Sequence, residues 1–153
     1  MDIALLNTMI VKAKADTYVG GGVKVDPSRL GSHDLSWSEG AWRYLDSYFG
    51  GTDFIGQETL WLEGSPIWAM NYYGYIRCPD LIDGSRAGET IKAALSSMYR
   101  EGRFLGGFQW HGPHGEYIDQ SSGDPTHFHG REVILVDGVE AYALDYFGGL
   151  VKQ

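Results

Sequence analysis

The sequence predicts an α+β fold with an internal duplication, in which a helix followed by a three-stranded antiparallel meander occurs twice and the helices pack on one face of the sheet. Three observations indicate this fold. The segment 54–74 is repeated at 128–148, each copy has a turn dipeptide near its centre, and each copy follows a segment with apolar residues at helical spacing. We therefore expect a single domain, 1–153, made of two repeats, 1–78 and 79–153.

Each repeated segment is predicted to be a β-hairpin. Asp137-Gly138 lies between runs rich in β-branched and aromatic residues, and this dipeptide adopts the positive φ angles of a tight type I′ turn. Glu63-Gly64 occupies the same place in the first copy. Because side chains alternate between the two faces of a strand, every second residue should face the core. The core-facing residues predicted for the returning strands are Trp68, Met70, Tyr72, Tyr142, Leu144 and Tyr146.

The helices are predicted from their capping residues. Asp2 can cap a first helix that ends at the glycines 20–22, and Asp83 or Ser85 can cap a second helix that ends at Gly102. The upstream strand that completes each meander is predicted at 43–49 in the first repeat and at 116–119 in the second.

A long irregular loop is predicted over residues 23–37, where a proline, a glycine and several Ser and Asp residues disfavour regular structure. Long loops in compact domains commonly carry function. In this loop Arg29 can grip a carboxylate or a phosphate, His33 and Asp34 can form a polarised pair, and Ser32 adds a hydroxyl group. The alternative is that the serine and aspartate side chains only satisfy turn and capping hydrogen bonds.

Glu58 and Glu132 occupy equivalent positions in the two repeats and share strand faces with large apolar residues. An ionised carboxylate on such a face is costly unless it is paired. The two glutamates could form a general acid–base pair, or they could anchor a cationic ligand. Alternatively, each glutamate forms a structural bond with Arg43, Arg131 or backbone amides.

The histidines of the second half are the only metal-ligand candidates. His127 and His129 share one strand face, which suits two metal ligands, but no zinc motif accompanies them. The glycine-rich stretches also lack the spacing of a phosphate-binding loop. We therefore expect surface histidines without a metal, and no cofactor.

The amino-acid composition limits the classes of partner and the cellular compartment that we expect. The net charge is −8, so the chain lacks the positive field that supports direct nucleic-acid binding. The single cysteine, Cys78, cannot form an internal disulfide, and no apolar run is long enough to span a membrane. These features predict a cytoplasmic protein.

Several motifs occur together in this sequence. They are TYVGGG at 17–22, PSRLGSHDL at 27–35, DSYFGG at 46–51, FIGQE at 54–58 and PIWAMNYYG at 66–74, with a looser FHGRE at 128–132. In this combination the chain resembles an uncharacterised bacterial family of domains of unknown function, whose members stand alone or are fused C-terminally to helix-turn-helix DNA-binding domains. The resemblance implies a sensor domain that binds a small effector.

The function expected from the sequence is therefore non-catalytic binding of a small molecule in a pocket between or beside the repeats. One alternative is a hydrolase or isomerase that uses the paired carboxylates and a histidine, and another is a protein-binding inhibitor of the immunity type. A homodimer or a protein partner is compatible with the sequence. The residues expected to bind the ligand are Arg29, Ser32, His33, Asp34, Tyr48, Glu58, Trp68, Asn71, Tyr72 and Glu132.

Overall fold

The computed structural model describes residues 1–152, and in this part of the chain two α-helices accompany one antiparallel sheet of nine strands. The helices are α1 (Ile3–Lys14) and α2 (Gly84–Arg100). The strands are β1 (Val23–Val25), β2 (His33–Glu39), β3 (Trp42–Gly50), β4 (Phe54–Leu62), β5 (Ser65–Ile76), β6 (Phe108–Gly112), β7 (Gly115–Asp124), β8 (His127–Val136) and β9 (Val139–Leu150). Their order in the sheet is β1-β2-β3-β4-β5-β9-β8-β7-β6. The predicted α+β class is confirmed.

Both helices begin at the capping aspartates that the sequence indicates. The Asp2 carboxylate accepts hydrogen bonds from the backbone N–H groups of Ala4 and Leu5, and Asp83 accepts one from the N–H of Arg86 at 2.9 Å. After α1 the chain continues through a π-helical turn, Ala15–Val19, before it reaches the glycines. The cap and the glycine stop thus define each helix, as expected.

The centre of the sheet is the pairing of β5 with β9. Tyr72 on β5 lies directly opposite Tyr146 on β9. From this pair β4, β3, β2 and β1 follow on one side, and β8, β7 and β6 follow on the other, each paired antiparallel with its neighbour. The two hairpins β4–β5 and β8–β9 turn at Glu63-Gly64 and Asp137-Gly138, where all four φ angles are positive, as a type I′ turn requires.

Each half of the sheet has more strands than the sequence predicted. The expectation of three-stranded units is wrong, because β6 extends the second half and β1 and β2 extend the first. Most of the segment predicted as an irregular loop belongs to β1 and β2. The reason is that the Asp34 carboxylate accepts hydrogen bonds from the Ser28 N–H and the Ser32 hydroxyl. These bonds confine the irregular backbone to one turn between β1 and β2.

Every second residue of the central strands faces the core, as predicted from the alternation of side chains. Trp68, Tyr117, Tyr142, Phe128 and Ile134 are almost fully buried, and they pack in one cluster with apolar residues of both helices. Trp68 stacks on Phe128 at 5.9 Å between ring centroids. This cluster forms the main part of the core.

Two tyrosines cross glycines on this buried face. Gly56 lies opposite Tyr72, and a Cβ atom added to Gly56 would lie 2.5 Å from Tyr72 Cζ, far inside van der Waals contact. Gly130 lies opposite Tyr146 in the same way, and an added Cβ would clash with that ring. Each ring therefore crosses the neighbouring strand, and its hydroxyl group reaches an aspartate one strand further away.

At the next cross-strand pairs on the same face the arrangement is reversed, because a phenylalanine ring of the first strand covers a glycine of the second. A Cβ atom added to Gly74 would lie 2.6 Å from Phe54 Cζ, and one added to Gly148 would lie 2.9 Å from Phe128 Cζ. The repeated F-x-G and Y-x-G patterns are thus explained: each aromatic ring covers the glycine of the partner strand.

Replacing Gly56 with Ala should destabilise the protein by about 1–3 kcal/mol, because the added methyl group overlaps the ring of Tyr72. Urea unfolding measures the loss. Gly51→Ala is the matched control, since its φ is not positive and its added Cβ meets nothing within 4 Å. If Gly56→Ala unfolds at the same urea concentration as the wild type, or if its loss persists in a Tyr72→Ala background, the crossing geometry is wrong.

Candidate functional site

A cavity of about 290 Å³ lies between the sheet and the helices. α1 contributes Lys14 to its lining, and α2 contributes a stripe that includes Gly88, Ile91 and Leu95. The core-facing residues of the strands supply the opposite wall, which is largely aromatic and apolar. The polar groups in the lining are the side chains that can give this cavity its chemistry.

Lys14 neutralises one of the two predicted glutamates. Its Nζ lies 2.8 Å from Glu58 Oε1 and 2.6 Å from Oε2, and both side chains are less than a tenth exposed. The sequence-based alternative of a bond to Arg43 or Arg131 is wrong. Arg43 donates to the carbonyl groups of Gly40 and Trp42, and Arg131 pairs with Asp145.

Tyr72 and Tyr146 each hold a buried aspartate. The Tyr72 hydroxyl donates to Asp46 Oδ1 at 2.5 Å, and the Tyr146 hydroxyl donates to Asp119 Oδ1 at 2.8 Å. Burial raises the pKa of Asp46 above its ordinary value, the neighbouring Glu58 raises it further, and the hydrogen bond from Tyr72 opposes both effects. Burial also raises the pKa of Asp119 to about 6, against the effect of its tyrosine bond.

Glu132 is held by tyrosines instead of a lysine. The hydroxyl groups of Tyr117 and Tyr142 both donate to its carboxylate, the latter at 2.9 Å. Burial raises the pKa of Glu132 to about 7, with a contribution from Asp119, and the two tyrosine bonds oppose the shift. The two glutamates that are equivalent in sequence therefore have different partners.

One oxygen atom in this set is fully buried without a hydrogen-bond partner. Asp119 is 4% exposed, yet its Oδ2 forms no hydrogen bond with any residue from 1 to 152. A buried acceptor without a partner costs free energy, and such groups in native proteins call for an explanation. Asp119 lines the cavity, so a bound molecule can supply the missing donor.

Only part of the predicted site comes together here. Tyr48, Glu58, Tyr72 and Glu132 line the cavity. Trp68 lies behind the lining in the aromatic cluster of the core, with its indole N–H donating to the Pro125 carbonyl at 3.0 Å.

The polar residues of β2 and the turn before it lie elsewhere, except His33. Asp34 pairs with Ser47 on the sheet face opposite the cavity, where it also accepts from Ser32, while Arg29 donates to Ser47 and covers the ring of Phe49. Although burial raises the pKa of Asp34, hydrogen bonds from Ser28, Ser47 and Ser32 lower it to about 2.

Four other predicted residues lie at the cavity margin or on the far face of the sheet. The ring of His33 is 5.1 Å from the ring of Tyr48, which places it beside the cavity margin. Asn71 accepts a hydrogen bond from Gln57 on the far face. His127 and His129 are exposed, and His129 contacts Ser122.

Sequence reasoning missed three buried charged residues of the cavity, Lys14, Asp46 and Asp119. Two patterns could have revealed them. Lys14 follows Ile10 by four residues, so it lies on the apolar stripe of α1, where a cation needs an anionic partner. Asp46 and Asp119 alternate with the buried Tyr44 and Tyr117, which places both carboxylates on the core face.

Replacing Lys14 with Met should destabilise the protein by about 3–5 kcal/mol at neutral pH, because Glu58 would stay buried without its cation. Chemical unfolding measures the change. The Lys14→Met/Glu58→Gln double variant should recover most of the loss. Lys12→Met is the matched control on the same helix, since its pair with Glu39 is about half exposed and is worth at most about 1 kcal/mol. Equal losses for the two lysines would contradict the buried ion pair.

Stability should decrease as the pH rises from about 4 to about 7. The pKa of Asp119 and of Glu132 is higher in the folded protein than the value of about 4 in an unfolded chain, so the folded state binds more protons in that window. The pKa of Asp34 is lowered to about 2 in the folded protein, so this group has the opposite effect. The stability that it contributes to the protein is lost as the pH falls below about 4. Thermal unfolding across pH should therefore show a maximum near pH 4–5.

The Glu132→Gln variant tests the source of this slope. Glutamine does not titrate, so the variant should lose less stability between pH 5 and pH 8 than the wild type. An unchanged slope would assign the pH dependence to other groups.

None of the helices in residues 1–152 is long and apolar enough to cross a membrane.

Comparisons with known proteins identify the family but no activity. No curated protein and no solved structure matches the chain. One family model matches residues 46–151, which include all four cavity carboxyl groups and exclude Lys14. Because this match covers more than half of the sequence, the chain belongs to the family described as a domain of unknown function, DUF5680.

Proposed function

We propose that this protein binds a small molecule in the cavity between the sheet and the helices, without catalysing a reaction. The observation that carries the proposal is that this largely apolar cavity is lined by four carboxyl groups, the buried Lys14, the exposed Lys92 and several tyrosine hydroxyls. Buried polar groups cost stability unless they are satisfied, and such groups in an apolar pocket are typical of a site that orients a ligand.

The size of the cavity limits the ligand. A water molecule occupies about 30 Å³ of the liquid, so about 290 Å³ corresponds to roughly ten water-sized groups. A compact organic molecule with a ring or a short chain has this size. A dinucleotide or a peptide does not fit within it.

We also propose that the two halves of the sheet arose by duplication, and that the ligand binds near the axis that relates them. The pairing of Tyr72 with Tyr146, which are equivalent residues of the two repeats, supports this proposal. The crossing of Gly56 and of Gly130 by these rings, and the aspartates at the ends of both crossings, support it further.

Gly88 on α2 offers a direct test of the cavity. It lines the cavity, and a Cβ atom added there would meet nothing within 4 Å. Gly88→Leu should therefore place a large side chain at the cavity and block binding. Gly88→Ala is the matched control: it should keep binding and stabilise the helix by about 0.5–1 kcal/mol.

The measurement is a thermal-shift screen of cationic, anionic and neutral organic fragments of about ten non-hydrogen atoms. We expect at least one class to raise the Tm of the wild type and of Gly88→Ala but not that of Gly88→Leu. If no fragment raises the Tm of the wild type, or if fragments raise all three equally, the cavity is not the binding site.

A second candidate function is acid–base catalysis in the same cavity. It is favoured by the different environments of the two glutamates, since Glu58 is ion-paired whereas burial raises the pKa of Glu132 to about 7. A pair of carboxyl groups in different protonation states can supply both a base and an acid. Turnover of a bound compound is the property that separates this candidate from simple binding.

A further inference from the structure

We propose that the group recognised in the cavity is an organic cation, a primary ammonium or an amidinium, held beside Asp119 and Glu132. This inference rests on the proposed binding function and names the chemical class of its ligand. It follows from a difference in charge between the two halves of the cavity, each of which places an aspartate opposite a glutamate.

The first half contains its own cation. The strand pair β3–β4 places Asp46 opposite Glu58, and the Lys14 ammonium binds both oxygen atoms of that glutamate. The second half has the same acidic pair, because β7 and β8 place Asp119 opposite Glu132. Among residues 1–152, no Lys, Arg or His forms an ion pair with either of these two carboxyl groups.

The hydrogen bonds in the second half leave an acceptor free. Tyr146 donates to Oδ1 of Asp119, and Tyr117 and Tyr142 donate to Glu132, but the buried Asp119 Oδ2 has no partner among the described residues 1–152. An ammonium group carries three N–H donors and a positive charge, so it can satisfy this oxygen and neutralise the acidic pair. A neutral hydroxyl group can satisfy the oxygen but cannot neutralise the pair.

The other charged groups near Asp119 do not take this role. Arg103 lowers the pKa of Asp119 through its charge, but its guanidinium donates to Glu101 and to the carbonyl groups of Leu105 and Gly107. Lys14 also lowers the pKa values of Asp119 and Glu132 through its charge, but its ammonium group is bound to Glu58. Lys92 is exposed and lies over the ring of Tyr18. None of these three side chains forms an ion pair with Asp119 or Glu132 within residues 1–152.

The remaining lining favours a cation over an anion. Four carboxyl groups and one buried lysine give the cavity an acidic character, so a ligand carboxylate or phosphate would meet like charges. The aromatic walls add attraction for a positive group, because the face of an aromatic ring is negative. The apolar residues Met70 and Leu144 line the same space and suit the hydrocarbon part of an amine.

The test uses the full chain and three probes of one shape: benzylamine, benzyl alcohol and benzoate, with propylamine and phenethylamine as shorter and longer amines. Isothermal titration near pH 8 measures the Kd, because both carboxyl groups are then mostly ionised. We expect at least one amine to bind the wild type, and its Kd to be weaker by about tenfold or more in Asp119→Asn.

Two further variants keep the test decisive. Glu132→Gln should also weaken amine binding, and it replaces Asp119→Asn if that variant does not fold. Asp145→Asn is the control, because this carboxylate is exposed and paired with Arg131 on the other face of the sheet, so the Kd should stay within about twofold of the wild type.

The outcomes separate this inference from the binding function on which it rests. Binding of benzyl alcohol or benzoate in preference to the amines, with loss of that binding in Gly88→Leu, would overturn the cation and leave the cavity as the site. Amine binding that Asp119→Asn and Glu132→Gln both leave unchanged would also overturn the inference. If neither these probes nor the fragment classes bind the wild type, both proposals fail.

Discussion

The rings of Tyr72 and Tyr146 cross the neighbouring strands over Gly56 and Gly130, and the rest of the buried face depends on this arrangement. A side chain at either glycine would push the ring away from the sheet and separate its hydroxyl group from the aspartate. Those hydrogen bonds allow two carboxyl groups to remain in the core, since a buried polar group without partners is costly. The cavity exists where this polar set meets the helices.

Much of the fold can be predicted from the sequence because its local chemistry agrees with its tertiary structure. The capping aspartates, the type I′ turns at Glu63-Gly64 and Asp137-Gly138, and the alternation of apolar residues all have one dominant structural solution. Strands β1 and β2 could not be predicted from local patterns. Their residues resemble a loop until Asp34 gathers the intervening serines into a turn, and that contact is visible only in three dimensions.

The candidate site could be predicted only in part, for a similar reason. Glu58 and Glu132 were identifiable because a carboxylate among apolar residues is unusual, but their partners come from distant parts of the chain. Lys14 reaches Glu58 across 44 positions, and Tyr142 reaches Glu132 across a hairpin. The sequence similarity of segments 54–74 and 128–148 also concealed an informative difference: among residues 1–152, a lysine pairs with Glu58, whereas no basic side chain pairs with Glu132.

Burial in the cavity suppresses the ionisation of Asp119 and Glu132 by raising both pKa values, and the proposed cationic ligand would oppose that shift. Carboxyl ¹³C chemical shifts recorded by NMR as a function of pH report this property most directly. We expect Glu132 to titrate near pH 7 and Asp119 near pH 6 in the free protein, as burial raises both pKa values. Titration of both groups near pH 4, the value for a solvated carboxyl group, would contradict this account of the cavity.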